Sequence, residues 1–558
     1  MRGRHCCRHA AACGLPRRRR RAVRSRASRL RVGCRRRILR WRDRPRPVAA
    51  QPAGATRPAH LGHAAHRLSV ARLRPQLPPR HGAVRTRDAA RGYGRRAFDD
   101  RLCRDRGSAF CPVRLRLWRR RLPSLDHRPR RDDERRGPEF PGRARGRGRV
   151  GVTAEPDMSE FWWERADLRY ESGRLVFAGC DAAALAEEAD GPLYLYSAAR
   201  IQANLDRVAA ALDTTGCAHR IYYAMKANRN PALLAMLAMT GRCGIDICSP
   251  RELDHALAQG FGADQISFTG TGVSRRDLAH LLAHDGLTIN CDSIGMIRRI
   301  GEQTPGRAIG IRVNPARGVG YGDSERLTYA GARTTKFGIY REQWGEALAV
   351  ARQYRLRVTS LHFHVGCGYL NDQLESWEAA LAAGLSFLDD LPDVRVVNIG
   401  GGLGLPHRAT DRPLDLALWA GLLRRHFAGR TLEIAVEPGD YIVKDAGMLI
   451  LGVTNVETKR DTLFVSVDGG FNLHPEPVFY DLPCEPVACA PRGADRATWR
   501  DCTIAGNINE ALDLWAEDVT MPPLEEGDFI AFLNAGGYGA AMSSDHCMRG
   551  AFQEILLD

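Results

Sequence analysis

The sequence predicts an α/β protein: a (β/α)8 barrel followed by a C-terminal β-domain of sandwich or Greek-key type, with an arginine-rich N-terminal extension expected to be disordered. Three observations lead there. From about residue 220, short β-branched apolar runs alternate with helical patterns, the signature of a parallel sheet with crossover helices. Eight such units fit into roughly 220 residues, the arithmetic of a closed barrel. Beyond residue 445 the helical pattern stops, and strand-like runs separated by Gly and Pro turns take over.

Taken in order, the first 157 residues hold 46 Arg and 12 acidic residues, no Lys, no Asn and one Ile, Ile38. No stretch there keeps an apolar period long enough to bury a face, so disorder is expected. From Met158 onward the chain has 37 basic and 52 acidic residues, so the +19 net charge of the 558-residue chain comes wholly from the extension. A nucleic-acid-binding arm would usually mix Lys with Arg and carry a recognisable motif. A composition of Arg, Ala, Pro and Gly without Lys or Asn is also what GC-rich DNA gives when read outside its coding frame, and Met158 is the first Met after Met1. Nucleic acid is therefore not the expected partner. Residues 158–195 contain the strand-like runs RLVFAG and PLYLYS, expected to join the β-domain. The barrel is expected over 196–445 and the C-terminal domain over 446–558.

The barrel strands read RIYYAMK, CGIDICS, DQISFTG, LTINCDS, AIGIRVNP, VTSLHFHVG, RVVNIGGG and LEIAVEPG. Amphipathic segments such as PALLAMLAM, RELDHALAQG, RRDLAHLLAHD and REQWGEALAVARQY lie between them. Each strand ends polar: Lys226, Asp246 with Ser249, Thr269, Asp292, Arg312 with Asn314, His364, Gly400-Gly401-Gly402, and Glu437. One polar strand end is ordinary solvation. Eight converging on the face where barrel enzymes keep their chemistry point to a site. The β-domain runs are MLILGVTNVET, TLFVSVDGGF and DFIAFLNAGGYG.

No apolar run of about 18 residues could span a membrane, and the N-terminus lacks the apolar core of a secretory signal, so a cytoplasmic enzyme is expected. Ten cysteines follow Met158 without C-x-x-C spacing, which supports neither a zinc site nor a disulfide framework.

A lysine at a barrel mouth can form an imine with an aldehyde, and desolvation would favour its neutral form. A glycine triplet after the seventh strand lies where barrels bind phosphate through backbone N–H groups. Adding the carboxylate of Glu437, which could keep a pyridine nitrogen protonated, the set suggests pyridoxal phosphate, with His364 stacked on the ring. A salt-bridged Lys226, a tight glycine turn and a core histidine are the separate bland explanations.

YYAMKAN, GIDICSPREL, KFGI, LHFHVGCG, NIGGGLG, VEPG and NAGGYGAAMSS occur in the order and spacing of the diaminopimelate/ornithine decarboxylase family, which Met158 to Asp558 resembles, closest in layout to the diaminopimelate decarboxylases. The family's barrel is shared with amino-acid racemases such as alanine racemase. The resemblance implies a pyridoxal phosphate enzyme that removes the α-carboxylate of an amino acid, as a homodimer with shared active sites. It implies that Lys226 holds the cofactor, that His364 stacks on it, that Gly400, Gly401 and Gly402 bind its phosphate near Tyr538, and that Glu437 pairs with the ring nitrogen. Asp246, Arg312, Cys367 and Gly439 complete the implied cofactor set.

Departures from the family carry information too. EPGR is replaced by Glu437-Pro438-Gly439-Asp440, and an Arg-Pro pair before a Tyr by Glu476-Pro477 and then Tyr480. These arginines help bind substrate carboxylate in diaminopimelate decarboxylases, so their acidic replacements disfavour a distal carboxylate and favour a cationic tail. The partner-supplied Cys-Glu-Ser segment reads Asn509-Glu510-Ala511, leaving water or His546 to return the proton, and Cys367 replaces the usual serine. Asp440, Glu476, Tyr480, Asn509 and Glu510 are thus the expected substrate contacts. Diaminopimelate decarboxylation, which would place the enzyme in lysine biosynthesis, stands beside decarboxylation of ornithine, lysine, arginine or a siderophore or antibiotic intermediate. A non-catalytic relative that binds the cofactor is a further alternative. A racemase would pair the ring nitrogen with arginine, which Glu437 argues against.

Overall fold

A computed structural model describes residues 161–491 and 496–558; the expected disorder of the N-terminal extension lies outside the described residues. All eight apolar runs that precede the polar endings become strands. Chain order begins with β1 (Leu168–Glu171), β2 (Arg174–Phe177), β3 (Cys180–Asp181) and β4 (Leu193–Ser197). The barrel follows as β5 (His219–Ala224), β6 (Gly244–Ile247), β7 (Ile266–Phe268), β8 (Thr288–Cys291), β9 (Ala308–Arg312), β10 (Arg357–His362), β11 (Val396–Asn398) and β12 (Glu433–Val436). These eight pair in parallel and close on themselves, with Ile434 opposite His219 and Val436 opposite Ile221. β6 and β7 are buried at every position, as expected of strands covered on both faces.

The crossover helices start where the sequence supplies caps. Asn230 accepts hydrogen bonds from the backbone N–H of Ala232 and Leu233, Pro231 opens the helix Pro231–Thr240, and Gly241 closes it at φ 62°. In the SPREL segment the Ser249 hydroxyl accepts from Glu252 N–H while the Glu252 carboxylate accepts from Cys248 N–H, so both ends of the turn after β6 are fixed. Asp246, the third residue of β6, lies just before this turn.

The C-terminal strands are β13 (Gly447–Lys459), β14 (Thr462–Val467), β15 (Pro486–Ala488), β16 (Arg500–Ala505), β17 (Leu514–Met521), β18 (Phe529–Phe532) and β19 (Gln553–Leu557). They form a mixed sheet in the order β15-β18-β13-β14-β16-β17, and β4 pairs with both β13 and β19. The two N-terminal runs part company. PLYLYS joins this sheet as β4, but RLVFAG becomes β2 of a separate three-stranded antiparallel sheet, β1-β2-β3. Its turns explain why: Ser172-Gly173 and Ala178-Gly179 each place two consecutive residues at positive φ, the geometry of tight two-residue hairpins, so the segment pairs with itself. It touches the larger sheet through the Leu175 N–H bond to the Cys489 carbonyl. The main apolar core lies between the barrel and its helices, and includes Trp377, Trp419 and Phe427. Among the described residues, the ten cysteines are free thiols and no helix is long and apolar enough to cross a membrane.

Candidate active site

A small cavity opens at the C-terminal ends of the barrel strands. The chain has only four lysines, Lys226, Lys336, Lys444 and Lys459, and Lys226 is the one that lines this cavity. It follows β5 by one turn, and Met225 N–H bonds to the Asp246 carbonyl, tying the lysine turn to the end of β6. Burial is the largest single influence on Lys226 and works against a charged amine, but Asp246, Cys367, Cys248 and Glu437 together outweigh it and raise the pKa. Burial thus acts on this amine in the expected direction, toward the neutral form, while the acidic groups around it act the other way. Asp246 in turn is pushed well above the usual carboxylate range by burial and by Glu437, against the pull of Lys226.

Glu437 follows β12 and is held by side chains from three other strands. Asn398 Nδ2 donates to its Oε1 at 2.7 Å, Ser267 Oγ lies 3.4 Å from the same oxygen, and His362 Nε2 is 3.1 Å from Oε2. Asn290 steadies Ser267 with a 3.1 Å bond. Burial raises the carboxyl's pKa, yet His362, followed by Lys226 and His364, prevails and holds it well below the ordinary range. The result is a buried carboxylate that stays ionised in a rigid frame.

The glycine triplet is shaped by contact rather than by flexibility alone. Gly400 and Gly402 take φ 72° and 96°, in the region that favours glycine. A Cβ on Gly401 would stand 2.1 Å from the Glu437 carbonyl oxygen, and one on Gly402 would stand 2.0 Å from that of Gly366. A Cβ on Gly400 would meet His364 Nδ1 at 2.7 Å, so the missing side chain makes room for the histidine. Burial, with Lys226 and Arg312 adding to it, pushes the His364 pKa far down, so the ring is neutral. Tyr329 packs against it at 4.8 Å between ring centres, and Cys367 Sγ is 3.7 Å from Nε2. Burial pushes the Cys367 thiol up to about 11. Gly439 and Tyr538 close the far side, and Tyr538 N–H bonds to the Ala227 carbonyl, which links the β-domain to the lysine turn.

Of the residues singled out from sequence, Lys226, His364, Cys367, Gly401, Gly402, Glu437, Gly439, Asp440 and Tyr538 line the cavity. Asp246, Gly400 and Arg312 do not; at the end of β9 Arg312 is committed to Asp292 at 3.2 Å and lies over the Phe337 ring. Tyr480, Asn509 and Glu510 are also outside the lining, and Glu510 pairs with His546 at 3.4 Å. Glu476 is buried behind the cavity, where Lys444 stands between it and Asp440. Sequence reasoning missed Ser267, His362, Asn398 and Lys444. His362 was within reach of it, two residues before His364 on an alternating strand, and so was Asn398, next to the glycine triplet.

The set fits pyridoxal phosphate. A primary amine, an ionised carboxylate and a glycine cradle share one cavity, and the buried Asp246 Oδ1 and His364 Nδ1 have no hydrogen-bond partner among the described residues. Comparison with known proteins agrees. The family model of the pyridoxal-dependent decarboxylase, pyridoxal binding domain, matches residues 198–444. A diaminopimelate decarboxylase of Methanothermobacter thermautotrophicus is 32% identical over 400 residues, covering 69% of this chain and 91% of that protein. One of Pseudomonas fluorescens is 34% identical over 404 residues, covering 70% and 93%. The crystal structure of diaminopimelate decarboxylase from Helicobacter pylori complexed with L-lysine superposes with a TM-score of 0.61 at 27% identity, covering 67% of this chain and 93% of that one.

Proposed function

The chain belongs to the diaminopimelate/ornithine family of pyridoxal-dependent decarboxylases, and on that premise we propose that its barrel mouth removes the α-carboxylate of an amino acid bearing a second basic group, the class that includes diaminopimelate, lysine, ornithine and arginine. The observation that carries this reading is the pairing of the single cavity lysine, Lys226, with the framed carboxylate of Glu437. When bound, pyridoxal phosphate supplies an aldehyde for the amine and a ring that withdraws electron density from the carbon losing carbon dioxide.

The chain's own residues supply the rest. Lys226 offers the primary amine that would hold the cofactor, with Asp246 beside it. Glu437 keeps a proton at the ring nitrogen, and Asn398, His362 and Ser267 stop it from turning away. Because those donors are set in place by folding, no reorganisation is needed as charge develops. Gly400, Gly401 and Gly402 bring backbone close enough to receive a phosphate, and neutral His364 presents a flat face without adding positive charge. Asn509 and Glu510, outside the cavity of their own chain, would serve a second copy in a homodimer with shared sites; Leu512, two residues on, is an exposed apolar side chain.

Borohydride reduction of the yellow holoenzyme followed by peptide mapping is expected to place the pyridoxyl group on Lys226. Carbon dioxide release is expected from at least one of meso-diaminopimelate, lysine, ornithine and arginine. A label on any of the other three lysines would overturn the site.

A further inference from the structure

Directly after Glu437, the short helix Asp440–Val443 leads into Lys444, a lysine no part of the proposed chemistry uses. Its side chain is 2% exposed. Nζ lies 3.0 Å from Asp440 Oδ2 and 2.9 Å from Glu476 Oε1, joining a carboxylate one helical turn away to another that is distant in sequence. Burial opposes the charge on Lys444, but the two carboxylates outweigh it and raise the pKa. His407 and His474, both buried nearby, are held neutral by burial and by Lys444 itself, so no second cation balances the pair.

The three groups have a direction. Asp440 lines the cavity, whereas Lys444 stands behind it and does not. Asp440 Oδ2 is turned to the lysine, while its Oδ1 is buried without any partner. Gly537 leaves that oxygen free, since a Cβ there would come within 2.8 Å of it. With two of its donor directions taken by carboxylates, Lys444 has little left with which to bind an anion. What the cavity meets is carboxylate oxygen backed by a fixed cation.

We propose that Lys444 is a positioning residue that holds Asp440 and Glu476 as the specificity end of the cavity, and that this end takes substrates with a cationic far terminus and rejects those with a carboxylate there. The inference rests on the reading of the chain as an amino-acid decarboxylase and narrows its substrate class. A distal ammonium or guanidinium would donate to the buried, unpartnered Asp440 oxygen; a distal carboxylate would meet like charge in a site with little water to screen it. Within the proposed class this favours lysine, ornithine or arginine over diaminopimelate.

The test uses holoenzyme and two probes of equal length, 1,6-diaminohexane and 6-aminohexanoate, with binding read from the change in the cofactor's visible absorbance so that turnover is not needed. The diamine is expected to bind at least about tenfold more tightly, a ratio within the reach of one like-charge contact. Asp440→Asn should bring the ratio close to unity, and Lys444→Arg should preserve it, which a purely structural role for the cation does not require. Since Lys444→Met alone strands two carboxylates, the neutral triple variant Lys444→Met/Asp440→Asn/Glu476→Gln is the control, expected to fold and to lose the preference. Equal binding of both probes by the parent, or an unchanged ratio in Asp440→Asn, would overturn the proposal while leaving the decarboxylase reading intact. Absence of any absorbance response to amines, together with no carbon dioxide release from any amino acid, would overturn both.

Discussion

The two ends of the cavity bury acidic groups by opposite means. At one end Glu437 is surrounded by side chains from β7, β10 and β11, with amide, hydroxyl and imidazole groups directed at its two oxygens. At the other, Asp440 and Glu476 share one ammonium, and one Asp440 oxygen is buried without a partner among the described residues. A carboxylate held by several donors keeps its charge available for a bound ring nitrogen. An acidic pair held by one lysine depends on that lysine, and it is Asp440 of the pair that lines the cavity. The difference is between an end fixed for chemistry and an end poised for selection.

The largest effect should come from breaking the second end. Lys444→Met leaves two buried carboxylates without a partner, and a loss of about 3–5 kcal/mol in unfolding free energy is expected from denaturant titration. Much of that loss should return in the neutral triple variant, because the strain lies in stranded charge rather than in lost volume.

At the first end, Glu437→Gln should leave the fold and the bound cofactor in place, since Gln keeps the shape and accepts from Asn398. Turnover should fall on the order of 10²–10³-fold, the usual result of removing one preorganised electrostatic partner. Steady-state kinetics alongside the cofactor's absorbance would check this; parent-like turnover would mean Glu437 does not protonate the ring.

The smallest and sharpest test is pH. Burial lifts the Glu476 pKa to about 8 from the ordinary 4.5, against the pull of Lys444 and with Asp440 adding to it. A carboxyl whose folded pKa is raised favours folding in its protonated form, so its contribution is fully present below about 4.5 and is lost as pH rises through about 8. The parent should therefore lose stability relative to Glu476→Gln between about pH 4.5 and pH 8 and run parallel to it above that, measured by urea denaturation at each pH. Parallel curves for the two proteins would show that Lys444 keeps Glu476 ionised throughout.

Much of the first end was legible in the sequence. The apolar runs that end at Lys226, Asp246 and Glu437 announce strands, and a parallel barrel gathers their ends on one face whatever the side chains do next. Arg312 was read by the same rule and is spent elsewhere, because a strand end decides where a side chain starts and not which neighbour reaches it first; Asp292, at the end of the adjacent strand, is that neighbour. RLVFAG was likewise read as a strand correctly, while its partners were decided by two hairpin turns.

What the sequence by itself determined is the set of elements, their order and the identity of the groups delivered to the barrel mouth, because apolar period, caps and strand ends are local properties of the chain. What only the tertiary structure decided is how those groups are paired. Lys444 meets Asp440 through a local helical turn, but Glu476 comes from the segment after β14, and no periodicity links the two carboxylates. The state of each depends on burial and on the charges within a few ångströms, quantities that arise only when distant segments pack together.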